Sequence, residues 1–96
     1  MNIQHVSGKN ASQIMIYALS TCPWCRKAKE LFKELGSAYD YVDVDLEKGK
    51  DREEAIAAAK KWNPSLSFPI IVVNGSKAIL GFKEDEIRNT VKQAAG

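Results

Sequence analysis

The sequence predicts an α/β domain in the order β-α-β-α-β-β-α, and three observations carry that prediction. An unbroken apolar run, Ile14-Met15-Ile16-Tyr17-Ala18, has the length of a strand buried on both faces. Segments with apolar residues at helical spacing then alternate with strand-like ones. Finally, Asn74-Gly75-Ser76 separates the β-branched run Pro69-Ile70-Ile71-Val72-Val73 from Lys77-Ala78-Ile79-Leu80, the pattern of a tight antiparallel hairpin.

Taken in order, residues 1–12 are polar, and Ser7-Gly8-Lys9-Asn10 reads as loop, so this stretch is expected to be a flexible lead-in or a short irregular segment. The domain proper is expected to occupy residues 13–96. Its first strand, residues 14–18, should be central. From Pro23 onward Ala28, Leu31, Phe32 and Leu35 recur at helical spacing opposite Lys29, Glu30, Lys33 and Glu34, and Gly36 supplies a C-terminal stop. Tyr41-Val42-Asp43-Val44-Asp45 alternates apolar with acidic residues, as a strand with one solvated face would, which makes Asp43 and Asp45 solvent-facing. Asp51 with Glu54 resembles an N-terminal capping arrangement for a second helix. Its apolar face is Ala55, Ile56, Ala59 and Trp62, and Asn63-Pro64 ends it. Trp62 in that register is assigned to packing. After the hairpin, Glu84, Asp85 and Glu86 load the first turn of a third helix within Lys83 to Ala95, with Ile87, Val91 and Ala94 as its buried stripe.

At 96 residues, 45% hydrophobic and 27% charged, the chain fits one compact domain with a small core. The net charge of +2 comes from basic residues interleaved with acids, which gives no argument for nucleic acid. No run has the length of a signal peptide or of a membrane span. The expectation is a soluble cytoplasmic monomer with neither nucleic acid nor membrane as partner.

Chemistry concentrates at Cys22-Pro23-Trp24-Cys25, the chain's only two cysteines, which sit between the first strand and the first helix. A strand that delivers such a pair to a helix N-terminus is a redox arrangement. Pro23 suits the first helical position, which puts Cys22 at the N-cap, where free N–H groups and the helix dipole favour thiolate. A structural staple is a poor reading, because so short a loop removes little unfolded-state entropy. A zinc site within one chain lacks ligands, since the only histidine, His5, lies in the polar N-terminal stretch. The alternative left open is a metal or iron-sulfur site shared between two chains through Cys22. Arg26 and Lys27 follow the pair and either add positive potential there or are plain solvated surface. Trp24 is read as exposed, a docking aromatic beside a reactive sulfur.

The element order, the cysteine pair, Ser67-Phe68-Pro69 before a hairpin and Gly81-Phe82 before the last helix together resemble a glutaredoxin-type thioredoxin fold from about Ile14 onward. That resemblance implies a four-stranded mixed sheet flanked by three helices and a thiol-disulfide oxidoreductase without cofactor or metal. Cys22 would be its attacking thiolate and Cys25, more buried, its resolving thiol. Thr21, Pro23, Trp24, Phe68, Pro69, Gly81 and Phe82 would meet the substrate, with Pro69 cis and the Phe68 backbone left free to pair with an extended chain. Partners would be proteins carrying disulfides, with glutathione or a flavoprotein reductase as electron donor. Two departures matter. Where glutathione-using members carry a lysine three positions before the first cysteine, this chain has Leu19, and their Gly-Gly and Ser/Thr-Asp pairs are replaced by Gly81-Phe82-Lys83-Glu84-Asp85. Gly-Phe followed by a basic residue is similar to the small redoxins that serve ribonucleotide reductase, although those usually lack the Pro-Trp pair.

Overall fold

A computed structural model describes residues 1–10 and 12–95, with side chains up to residue 93. The burial expected of Ala94 therefore lies outside the described residues. In chain order the elements are β1 (Gln4–Val6), β2 (Ile14–Ala18), α1 (Pro23–Glu34), β3 (Tyr39–Asp43), a 3-10 turn (Val44–Leu46), α2 (Gly49–Trp62), β4 (Ile70–Val73), β5 (Lys77–Leu80) and α3 (Glu84–Ala95). The strands form one mixed sheet in the order β1-β3-β2-β4-β5. Only β2 and β3 run parallel, as the crossover through α1 requires, and β2 is central.

Alternation along the strands divides the interior in two. Ile14, Ile16 and Ala18 of β2, with Ile71, Val73 and Ile79, pack against Cys25, Ala28, Leu31 and Phe32 of α1 and Ile87 of α3. On the opposite face Tyr17, Val42, Ile70 and Val72 meet Ala55 and Ala59 of α2, with Trp62 packed at the margin. Because β2 is covered on both faces, its residues read as a continuous apolar run rather than an alternating one. The hairpin turn matches its sequence signal: Asn74 and Gly75 both have positive φ, 54° and 64°.

Three expectations need correction. The sheet has five strands and not four, because Gln4–Val6 pairs antiparallel with β3 in the register His5 to Asp40. The segment 1–12, read as a lead-in, is stitched to the domain further along as well. Lys9 donates its N–H to the Gly36 carbonyl at 2.8 Å and accepts from the Ala38 N–H at 3.0 Å. Gly8 passes so close to that backbone that a Cβ there would lie 2.6 Å from the Ala38 nitrogen. A three-residue strand with one apolar side chain, Val6, carries no periodicity to read, and the open edge of β3 supplies the partner.

Second, β3 begins two residues early and ends at Asp43, so Val44 and Asp45 belong to the 3-10 turn. Neither aspartate is free in solvent. Asp43 pairs with Lys29 at 2.8 Å, and Asp45 binds Ser20. Third, α2 starts at Gly49 with Lys48 as an N-cap that makes no side-chain hydrogen bond, which leaves Asp51 in the first turn and not at the cap. There its carboxylate faces the positive end of the helix dipole.

Candidate active site

Parallel pairing brings the C-terminal ends of β2 and β3 to one end of the sheet, and the loop Leu19-Ser20-Thr21 carries the chain from β2 into α1 there. Cys22 is the N-cap of α1, with extended backbone at φ −86° and ψ 116°, and Pro23 is the first helical residue. The Cys22 sulfur accepts the backbone N–H of Cys25 at 3.2 Å, as a side-chain cap oxygen would. Its own N–H donates to the Leu19 carbonyl at 3.2 Å and closes the loop as a turn.

The two sulfurs stand in different surroundings. Cys22 is partly exposed, whereas Cys25, one turn into the helix, is wholly buried and packs in the core shared by α1 and α3. Burial pushes the Cys25 thiol up to about 12, its hydrogen bond to Cys22 and the nearby Cys22 charge act the same way, and the Leu19 backbone and Lys29 pull it down only in part.

Around this pair lie the residues singled out in sequence. Trp24 is 54% exposed and stacks on Phe82, with ring centroids 5.8 Å apart and planes inclined by 27°. The Lys27 ammonium lies 4.8 Å from the indole centroid on α1. Phe82 is held by Gly81, whose φ of +86° turns the chain out of β5 and whose N–H donates to the Pro69 carbonyl at 2.8 Å. The Phe68-Pro69 peptide is cis, and Pro69 is buried. Among the described residues, neither the N–H nor the carbonyl of Phe68 makes a backbone hydrogen bond. Phe68, Phe82 and Cys22 all border the core that encloses Cys25. Thr21 and Arg26 are exposed and make no side-chain hydrogen bond among the described residues. Leu19 packs half-buried on the opposite core.

One residue at this end escaped the sequence reading. The Asp45 carboxylate accepts the Ser20 N–H at 2.8 Å through Oδ1 and the Ser20 hydroxyl through Oδ2. These bonds, the hydroxyl's first, hold its carboxyl below the usual carboxylate range. The available signal was topological: a strand parallel to β2 must end beside the loop that leaves β2.

The glutaredoxin family model matches residues 14–77, which runs from β2 through the cysteine pair to the hairpin. A glutaredoxin-like 8.6 kDa protein from the rubredoxin operon of Clostridium pasteurianum is 36% identical over 81 residues, 83% of this chain and 99% of that one. Of rice glutaredoxin-C6, 29% identical over 65 residues, the match spans only 56%. Among solved structures, the glutaredoxin of Methanosarcina mazei Go1 superposes with a TM-score of 0.84 at 48% identity, covering 93% of this chain and 86% of that one. Methanoredoxin of Methanosarcina acetivorans gives a TM-score of 0.84 at 44% identity over 88% of each chain. The family match covers the helix-capping cysteine pair and the strands that present it, and it is joined by a relative matched over nearly its whole length. On those grounds the chain belongs to the glutaredoxin family, whose members are thiol-disulfide oxidoreductases.

Proposed function

We propose that this protein is a dithiol reductant of protein disulfides, with Cys22 as nucleophile and Cys25 as resolving thiol, and that a reductase protein recharges it better than glutathione does. The observation that carries the reading is the asymmetry of the pair: a partly exposed cysteine capping a helix and a buried one behind it. Thiolate is the attacking form of a cysteine, and Cys22 presents its sulfur at the first turn of α1. The Cys22 thiolate attacks one sulfur of the target disulfide. The S–S bond breaks, the other target sulfur leaves as a thiolate and takes a proton from water, and a mixed disulfide remains.

Cys25 holds its proton through this step. Two of the influences that push its thiol up, the hydrogen bond to Cys22 and the Cys22 charge, vanish once Cys22 is bound in the mixed disulfide. Loss of its proton to solvent then costs less, and Cys25 attacks the Cys22 sulfur, expelling the target's second thiol. Two electrons have passed to the target, and Cys22-Cys25 is left as a disulfide. The unpaired Phe68 backbone and the Trp24-Phe82 surface on either side of Cys22 suit an extended protein segment as substrate. A cytoplasmic setting, where thiols are kept reduced, accords with such a role.

Two features support the choice of donor. Leu19, half-buried in the core, brings no ammonium to the mouth of the site, and Phe82 with Trp24 fills the turn where other members offer Gly-Gly. The test compares steady-state disulfide reduction driven by glutathione with its reductase against that driven by a thioredoxin-reductase-type enzyme. The second system is expected to be faster at equal protein concentration. Efficient turnover with glutathione alone would overturn the donor assignment and leave the dithiol chemistry standing.

A further inference from the structure

We infer that Asp45 is a positioning residue for Cys22, acting through Ser20, an assignment that rests on the dithiol reading above. Both hydrogen-bond donors of Ser20 go to one carboxylate, the N–H to Oδ1 at 2.8 Å and the hydroxyl to Oδ2. Two bonds from one residue to two oxygens fix the orientation of Ser20 and not merely its location. Ser20 sits inside the turn that the Cys22 N–H closes onto the Leu19 carbonyl, so its orientation sets where the cap begins.

The far end of the clamp is also held. Asp45 lies in the 3-10 turn between β3 and α2, where its neighbour Val44 is buried in the core that includes Tyr17 and Ala55. The loop between β2 and α1 is thereby tied to the rigid edge of the opposite core. Without that tie, the turn is free to slip relative to α1, and the Cys22 sulfur loses its alignment with the Cys25 N–H, now 3.2 Å away.

Position and charge make opposite predictions here. A carboxylate near Cys22 disfavours a second negative charge, so an Asp45 that acted through its charge would slow attack, and its removal would speed it. An Asp45 that acts by position speeds attack, and its loss slows it. Asparagine separates the two. Its carboxamide oxygen still accepts the Ser20 N–H, while the Ser20 hydroxyl can turn to accept from the amide NH2.

The experiment uses the full chain with Cys25→Ser as parent, so that only the first attack is observed. Its reaction with a small aromatic disulfide is followed by stopped flow across a pH series. Urea unfolding of each variant is measured in parallel. Asp45→Ala is expected to slow the attack about tenfold, the worth of one lost charge-assisted hydrogen bond, and to move the pH–rate profile upward. Asp45→Asn should stay within about threefold of the parent, and Ser20→Ala, which keeps the N–H bond, should fall between them. The shifted profile is the mark of a displaced cap, since a loss of stability alone does not move it. An unchanged rate and profile in Asp45→Ala overturns the inference, and so does faster attack in both Asp45 variants. If Asp45→Ala does not fold, Ser20→Ala decides, and a rate equal to the parent's overturns the inference. A parent that does not react with disulfides at all refutes the dithiol reading instead.

Discussion

Burial separates two chemically identical thiols three residues apart, and this difference at single residues has a consequence for stability. The Cys25 thiol lies near 12 in the folded protein against about 9.0 for an ordinary one, so between these values the unfolded chain loses a proton that the folded chain retains. Stability depends on pH with a slope set by protons bound unfolded minus protons bound folded, which is negative in that window. The contribution of Cys25 is therefore complete below pH 9 and declines as pH rises toward 12. Reduced protein should lose more urea resistance between pH 8 and 10.5 than Cys25→Ala does, since the substitution removes that proton. Equal losses in both would show that the buried thiol carries no such linkage. Trp24 makes a second residue-scale case. Its ring lies in the redox motif itself and on Phe82, so reduction of the Cys22-Cys25 disulfide should change tryptophan emission. Trp24→Phe should abolish most of that response, while Trp62→Phe, which alters a ring packed at the α2 core, should leave it. A response that survives in Trp24→Phe argues against contact between the indole and the redox pair.

At the scale of elements, the left-handed turn at Gly81, which belongs to the site, can be tested against the left-handed hairpin turn at Gly75, which does not. Gly81 and Gly75 have positive φ, +86° and +64°, and open space where a Cβ would stand, so alanine at either position costs backbone strain without a clash. Each substitution should destabilise by about 1 kcal/mol in urea unfolding. Only Gly81→Ala should also reduce the rate of protein disulfide reduction, because Gly81 places Phe82 against Trp24 and bonds to Pro69. Equal activity in the two variants would detach the Phe82 turn from function. Elements that announced themselves did so by packing on both faces or by cap chemistry: β2 as an apolar run, α1 by its stripe and Pro23, the hairpin by Asn74-Gly75. Elements that did not were set by tertiary contact. β1 exists because β3 has an open edge, and β3 ends at Asp43 because Val44 turns into the α2 core. An acidic alternation that continues past the strand end cannot show where pairing stops. The cysteine pair was legible as a local motif, and Pro69 and the Gly81-Phe82 turn only through the family resemblance. The Asp45-Ser20 contact was not, since it joins residues 25 apart through a parallel pairing that no local pattern encodes.

For the molecule as a whole, the question is which donor the assembled surface admits. Leu19→Lys restores the ammonium found in glutathione-using relatives, and its half-buried position lets a lysine stem pack as Leu19 does while the charge reaches water. The substitution should raise the glutathione-dependent rate about tenfold, with little change when a reductase protein supplies electrons. The gain should fade as salt rises, because an exposed ion pair is screened over about 8 to 10 Å near physiological ionic strength. No gain, together with efficient glutathione turnover by the unmodified protein, would show that the missing contacts do not govern the donor. Beneath donor choice lies the division of labour in the pair, in which the partly exposed Cys22 attacks and the buried Cys25 resolves. Mass spectrometry of Cys22→Ser and Cys25→Ser after incubation with a model disulfide tests it most directly. With Cys22 as the nucleophile, the Cys25→Ser protein should hold a stable mixed disulfide on Cys22 and the Cys22→Ser protein should form no adduct; the reverse pattern would make Cys25 the attacking sulfur.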